Sequence, residues 1–185
     1  MKPVILISAA LLLSGCIYEA PLVAENKLPI DAAIIGLWEP LPQEEKEPEN
    51  DGDNPLKKIL EHSPAETRLL ILKFSETEYL ISNPVAEHSI HYRAYPIELG
   101  GKRCVQLQVI GTNEGSADWE NDTPRPFLVC SHETKDGNLI VSNLNEELVG
   151  DELKTTAALQ EAFLKNKDNP QLFGEPTIYR KVKAD

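Results

Sequence analysis

The stretch IHYRAYPIELGGKRCVQLQVI, from Ile90 to Ile110, carries the clearest structural pattern in this 185-residue chain. In its second half apolar and amide side chains alternate at Val105, Gln106, Leu107, Gln108 and Val109. This two-residue period is typical of a strand with one buried face. Gly100-Gly101 is a hairpin turn signal, because such turns favour residues that accept positive φ. The stretch therefore predicts two antiparallel strands, 90–99 and 103–110, with Pro96 at a bulge or an edge position.

Six further strands are predicted outside this hairpin. They are runs rich in aliphatic and aromatic residues, at 34–38, 68–74, 77–82, 127–134, 139–145 and 176–182. One long helix interrupts the series, because Thr155 is a good capping residue and an apolar stripe at helical spacing follows it. The stripe consists of Ala158, Leu159, Ala162 and Phe163. Eight antiparallel strands connected in sequence predict a mainly β fold, most simply an up-and-down barrel without exposed edges, with one helix near the C-terminus.

The N-terminus has the pattern of an export signal. A basic start, Met1-Lys2, precedes an apolar run from Val4 to Leu13 that is too short to span a bilayer. The tetrapeptide that follows, Leu13-Ser14-Gly15-Cys16, resembles the lipobox of bacterial lipoproteins. The resemblance implies that residues 1–15 are a cleaved signal peptide and that Cys16 is the lipid attachment site. Several acyl chains on one residue anchor a protein stably to a membrane. The alternative is an ordinary cleaved signal sequence.

The lipoprotein resemblance also implies a location. In bacteria with two membranes, lipoproteins with Asp directly after the lipidated cysteine tend to stay at the inner membrane, and here that residue is Ile17. The implied location is the periplasmic side of the outer membrane, or the outer face of the plasma membrane in a bacterium with one membrane. Residues 16–30 lack periodicity and are predicted to be a lipidated tether. Residues 31–185 then form a single domain.

The charge of the chain is strongly acidic, with a formal net value of −12 at pH 7. Phosphate backbones repel such a chain, which argues against nucleic acid as a partner. Residues 39–55 hold seven Asp or Glu residues against one Lys, and three prolines within 39–48 add to this composition. This composition predicts an acidic, flexible loop.

The triplet Gly36-Leu37-Trp38 on the first predicted strand resembles the G-x-W signature of lipocalins. In that family the Trp plugs one end of the barrel and stacks against a basic side chain near the last strand. The resemblance implies that Trp38 is the plug and that Arg180, next to Lys181, is its basic partner. Lipocalins carry their long helix after the eighth strand, whereas here it precedes the last strand, so the expectation is a lipocalin-like barrel. The chain also resembles small uncharacterised envelope lipoproteins, which implies no activity.

Two cysteines remain if Cys16 is acylated. Cys104 and Cys130 lie on strands that flank the loop before Phe127, and an exported chain folds in an oxidising compartment. A disulfide between them is the favoured interpretation. The alternatives are two buried thiols, or a metal or catalytic role.

Motifs for catalysis and metal binding are missing from the sequence. It has no Gly-x-Ser-x-Gly elbow, no His-Glu-x-x-His and no glycine-rich phosphate loop. His88 and His91 are the best metal candidates, but residues three apart on a strand face opposite sides. Asp51-Gly52-Asp53 lacks the spacing of a calcium loop. We therefore predict no catalytic residues, no metal and no cofactor.

Trp119 is unexpected, because it lies among acidic residues in the loop between two strands. It either anchors a protein partner or folds back over the barrel mouth.

We predict a non-catalytic, lipid-anchored envelope protein that acts through surface contacts with an envelope partner, since bulky side chains are expected to fill the barrel. These are Leu70, Leu72, Phe74, Tyr79, Ile81, Tyr92, Val105, Leu107 and Val109. The alternative is a lipocalin-like binder of a small apolar ligand, and an envelope enzyme comes third.

Overall fold

The computed structural model describes residues 17–25, 27–41, 68–84, 89–112 and 127–183. Eight strands form a closed barrel in which each strand pairs antiparallel with its chain neighbours, and β1 pairs with β8. The strands are β1 Gly36–Pro40, β2 Leu69–Lys73, β3 Tyr79–Pro84, β4 Ser89–Leu99, β5 Lys102–Thr112, β6 Phe127–Lys135, β7 Asn138–Asn143 and β8 Thr177–Lys181. The predicted mainly β barrel is thus confirmed.

A 3-10 helix and one α-helix complete the described elements. The 3-10 helix Ala32–Ile34 directly precedes β1, and Asp31 caps it by accepting a hydrogen bond from the Ala33 N–H. The helix α1, Thr156–Asn166, is capped by Thr155 as predicted, because the Thr155 side chain accepts from the Ala158 N–H. Within the described ranges, no helix has the length and apolar character needed to cross a bilayer.

Two tight turns set the hairpins at one end of the barrel. Gly100 and Gly101 have φ of 59° and 80°, and Asp136 and Gly137 have φ of 52° and 81°. Positive φ at both central residues matches the strand twist in two-residue hairpins, so both predicted turns are confirmed. We call this end, where β1 begins and β8 ends, the closed end. The opposite end, where β6 begins, is the far end.

The barrel interior is filled by side chains that we call the inner core. Three tyrosines and one tryptophan contribute much of its volume. Its buried members are Ile34, Trp38, Ile71, Tyr79, Ile81, Ile90, Tyr92, Ala94, Val105, Val109, Leu128, Cys130, Leu139 and Tyr179, and Leu107 packs against them. Most of the predicted inward residues are therefore confirmed.

The prediction of which face of β2 points into the barrel is wrong. Leu72 is 42% exposed and Phe74, directly after the strand, is 63% exposed, whereas Ile71 lies in the inner core. This strand is apolar on both faces, so its composition cannot tell which face is buried. Pairing with β1 decides, because Gly36 lies opposite Ile71 and Trp38 opposite Leu69.

A second cluster, the outer core, lies between α1 and the outside of the barrel wall. Leu159 and Phe163 of the predicted stripe are buried there. The buried members are Tyr18, Leu22, Tyr95, Ile97, Cys104, Val129, Leu144, Val149, Leu159, Phe163 and Leu172. Tyr18 and Leu22 belong to the segment predicted to be a tether, so residues 17–25 differ from a free linker. We call them the N-terminal arm.

Candidate functional site

Trp38, the predicted plug, lies in the inner core and is 2% exposed. Its indole Nε1 donates a hydrogen bond of 2.8 Å to the Ile34 carbonyl. The Nζ of Lys181 lies 5.2 Å from the centre of the Trp38 ring and donates to the Ala33 carbonyl at 3.3 Å. These contacts join β1, β8 and the 3-10 helix.

The prediction that Arg180 is the basic partner of Trp38 is wrong. Pairing of β1 with β8 places Trp38 opposite Lys181 and Glu39 opposite Arg180. Since neighbouring side chains on a strand point to opposite faces, Arg180 points outward. Its Nε donates to Glu39 Oε1 at 2.6 Å instead. The basic residue over the indole is Lys181.

Gly36 makes this arrangement possible. A Cβ at this position would lie 2.8 Å from Cε of Lys181, and the φ of Gly36 is +141°, a value that side chains rarely allow. The Lys181 stem therefore occupies the space that any larger residue would need. Gly36, Trp38 and Lys181 form one structural unit.

The buried tyrosines of the inner core keep their protons at neutral pH. Burial raises the pKa of Tyr179 to about 12 and raises the pKa of Tyr92 further. The Tyr79 hydroxyl accepts a 2.6 Å hydrogen bond from the Asp31 N–H, which ties the 3-10 helix to β3. His132 differs, because its buried Nδ1 has no hydrogen-bond partner and burial lowers its pKa. These groups belong to a packed interior.

The expected disulfide between Cys104 and Cys130 is not formed, and both residues are buried free thiols. In the pairing of β5 with β6 it is Val105 that lies opposite Cys130. This one-residue offset puts Cys130 in the inner core and Cys104 in the outer core, on opposite faces of the wall. Burial raises the pKa of each thiol to about 12, so both thiols keep their protons at neutral pH.

Several predicted residues lie outside the described residues. They are the signal peptide 1–15, the lipid attachment residue Cys16, Trp119, His88 and residues 42–55 of the acidic loop predicted over 39–55. The start of that loop is wrong, because Glu39 and Pro40 lie on β1. His91 is described and lies on β4. Across the described ranges no group of three or more His, Cys, Asp or Glu side chains is placed to hold a metal ion.

The N-terminal arm begins with a firmly paired residue, which sequence reasoning missed. Tyr18 is 1% exposed, and its backbone N–H and carbonyl each form a 2.8 Å hydrogen bond with Phe127, the first residue of β6. Its hydroxyl donates to the Val149 carbonyl at 2.8 Å. The sequence signal for this pairing was the aromatic side chain of Tyr18 itself, since large aromatic residues are rarely left in a free tether.

Gln106 holds the middle of the arm. This outward side chain of β5 is fully buried and bonds both backbone groups of Val23, accepting from the N–H at 3.0 Å and donating to the carbonyl at 3.1 Å. Two residues of α1 add further bonds, since Thr156 donates to the Pro21 carbonyl and Gln160 to the Leu22 carbonyl. The arm is thus clamped between the barrel wall and α1.

An apolar surface lies on the outside of β1, β2 and β3. Leu72 and Phe74 are exposed there, whereas Leu37, Leu70 and Leu80 are half-buried, and we call these five residues the apolar outer face. Arg93 lies over the Phe74 ring at 5.9 Å, and two hydrogen bonds of 2.8 and 2.6 Å join Arg93 to the buried carboxylate of Glu78. These contacts fix an exposed aromatic ring at the closed-end edge of the face.

Comparison with protein-family models, with curated proteins and with solved structures finds no match to this chain.

Proposed function

We propose that this protein is a non-catalytic, lipid-anchored lipoprotein of the bacterial cell envelope that acts through surface contacts with an envelope protein. The observation that carries the proposal is the filled barrel. Trp38, Tyr79, Tyr92 and Tyr179 all point into the interior and are buried. Because an eight-stranded barrel is just wide enough for side chains to fill, this packing favours surface contacts over a ligand held inside.

The apolar outer face is the proposed contact surface. Exposed apolar side chains that cluster on one face are typical of protein interaction sites. Phe74 is held by Arg93, which is itself held by Glu78, so little side-chain freedom is lost when a partner covers the ring. Aromatic residues and Arg are enriched in interfaces. We therefore propose Phe74 and Leu72 as the principal contact residues.

The anchor and the location in this proposal rest on the sequence. The lipobox-like Leu13-Ser14-Gly15-Cys16 supports lipid attachment at Cys16, and Ile17 supports the periplasmic side of the outer membrane. Mass spectrometry of the chain purified from bacterial membranes tests this part. We expect a mature chain that starts at Cys16 and carries acyl chains, whereas an unmodified mass would contradict the anchor.

Site-specific photo-cross-linking in cells tests the contact surface. A photoreactive amino acid at Leu72 is expected to form a discrete adduct with an envelope protein, and Phe74→Asp in the same chain is expected to abolish it. The matched control is the same group at Leu164, an exposed residue of α1. Equal adducts at both positions, or an adduct that survives Phe74→Asp, would contradict the assignment.

Native mass spectrometry separates the proposal from the ligand-binding alternative. We expect the folded and the denatured protein to have the same mass. A reproducible excess mass that disappears on denaturation would favour a lipocalin-like binder of a small apolar ligand.

A further inference from the structure

The arm leaves almost no free chain between the proposed lipid and the folded barrel. Tyr18 is already buried and paired with Phe127 on both of its backbone groups. Cys16 precedes it by two residues, and two extended residues span about 7 Å. The acylated residue must therefore lie within that distance of the Tyr18 backbone.

The position of Tyr18 fixes which part of the barrel lies near the lipid. Phe127 begins β6, so Tyr18 is at the far end. The strand β6 then runs eight residues to Lys135 at the closed end, or about 26 Å at 3.3 Å per residue. The closed end is therefore much farther from Cys16 than the far end is.

The contacts along the arm prevent it from extending into a linker. Releasing it would expose Leu22 and Tyr18 and would leave the buried Gln106 amide without its partners on Val23. The two lost hydrogen bonds cost free energy in addition to the lost apolar burial. The arm from Tyr18 onward is thus held against the wall of the barrel.

We infer that the lipidated protein is oriented with its far end, where Tyr18 pairs with Phe127, toward the bilayer. This inference rests on the proposed acylation of Cys16. The closed end, with Trp38 and the edge of the apolar outer face at Phe74, then points away from the membrane. The far end thus faces the lipid surface, and the proposed contact residues Leu72 and Phe74 face partners in the aqueous compartment.

Fluorescence quenching by headgroup-labelled lipid tests this orientation. A fluorophore is attached through Glu147→Cys, near Val149, or through Lys135→Cys, at the closed end, in the full chain produced in bacteria. Acylation makes Cys16 unreactive, and the buried native thiols provide the unlabelled background, checked with the parent chain. Each labelled protein is placed in phosphatidylcholine vesicles that contain a spin-labelled headgroup.

We expect quenching several-fold stronger at position 147 than at position 135. Inserting twelve Gly and Ser residues between Cys16 and Ile17 adds about 20 Å of flexible reach, and it is expected to abolish the difference. Equal quenching in a chain shown by mass to be acylated would overturn the orientation alone. An unmodified mass at Cys16 would overturn the proposed anchor, together with the orientation that rests on it.

Discussion

The inner core and the outer core lie on opposite sides of the same barrel wall but are built in different ways. On β5, Val105 and Val109 enter the inner core, while Cys104 and Gln106 are buried in the wall's outer layer. Inner-core residues meet through strand pairing, mostly between neighbours in the chain. The outer core depends on contacts across long separations, 83 residues for Val23 with Gln106 and 131 for Tyr18 with Val149. Local alternation therefore predicts the first and cannot predict the second.

The largest expected effect is on the inner core. Trp38→Ala removes a buried indole and its hydrogen bond to Ile34, so we expect the free energy of unfolding to fall by about 3–5 kcal/mol. Leu72→Ala, on the neighbouring strand but exposed, is the control and should change it by less than about 1 kcal/mol. Denaturant unfolding measures both variants. Similar losses in the two would mean that Trp38 does not plug the barrel.

The matching test of the outer core compares two glutamines on one face of β5. Gln106→Ala leaves the N–H and carbonyl of Val23 without their partner, and we expect a loss of about 1–3 kcal/mol. Gln108→Ala, two residues along the same face, is expected to change stability by less than about 0.5 kcal/mol. Hydrogen exchange at the Val23 amide should accelerate only in the first variant. Equal behaviour of the two variants would show that the arm is not clamped by Gln106.

The fold was predictable because its strands follow the two-residue period and its turns carry Gly at positive φ. All eight strands and the Thr155 cap follow from the sequence. The phase of β2 did not, because Leu69 to Leu72 are apolar on both faces and only pairing with β1 selects Ile71. The arm was missed for a different reason. Its partners are distant in the chain, and Gln106 looks like a solvent-exposed residue in any local pattern.

Contacts of the site residues were also beyond prediction, because a shift of one residue in strand pairing changes them. The sequence places Arg180 and Lys181 together, and only the register of β8 against β1 decides which of them lies over Trp38. Likewise, Cys104 and Cys130 lie on paired strands, yet an offset of one residue sends them to opposite faces. These contacts depend on the register between paired strands, which cannot be predicted from composition.

A smaller effect is expected from the basic residues at the closed end. Lys181→Met removes the cation over the Trp38 ring and the hydrogen bond to the Ala33 carbonyl, so we expect a loss of about 0.5–1 kcal/mol. Arg180→Met keeps both Lys181 contacts and loses only an exposed ion pair with Glu39, so a smaller loss is expected. Thermal unfolding of both variants at low and high salt compares them. A larger loss in the Arg180 variant would restore the expectation drawn from the G-x-W resemblance.

The smallest expected effect is a pH dependence of the free energy of unfolding that comes from His132, on the inner side of the wall. His132 lies on the inward side of β6, and burial lowers its pKa below 6.5, with Asp31 opposing and Arg103 adding to the shift. As the pH falls below about 6.5, the unfolded chain binds a proton at this imidazole before the folded chain does, so the free energy of unfolding decreases. Above that pH both states have a neutral imidazole, and this residue contributes no slope. Carboxylates titrate at lower pH and add their own slope, so the test is the difference between the parent chain and His132→Gln. That difference should change between pH 7 and pH 5, and stability curves that stay parallel over this range would place His132 in water rather than against the inner core.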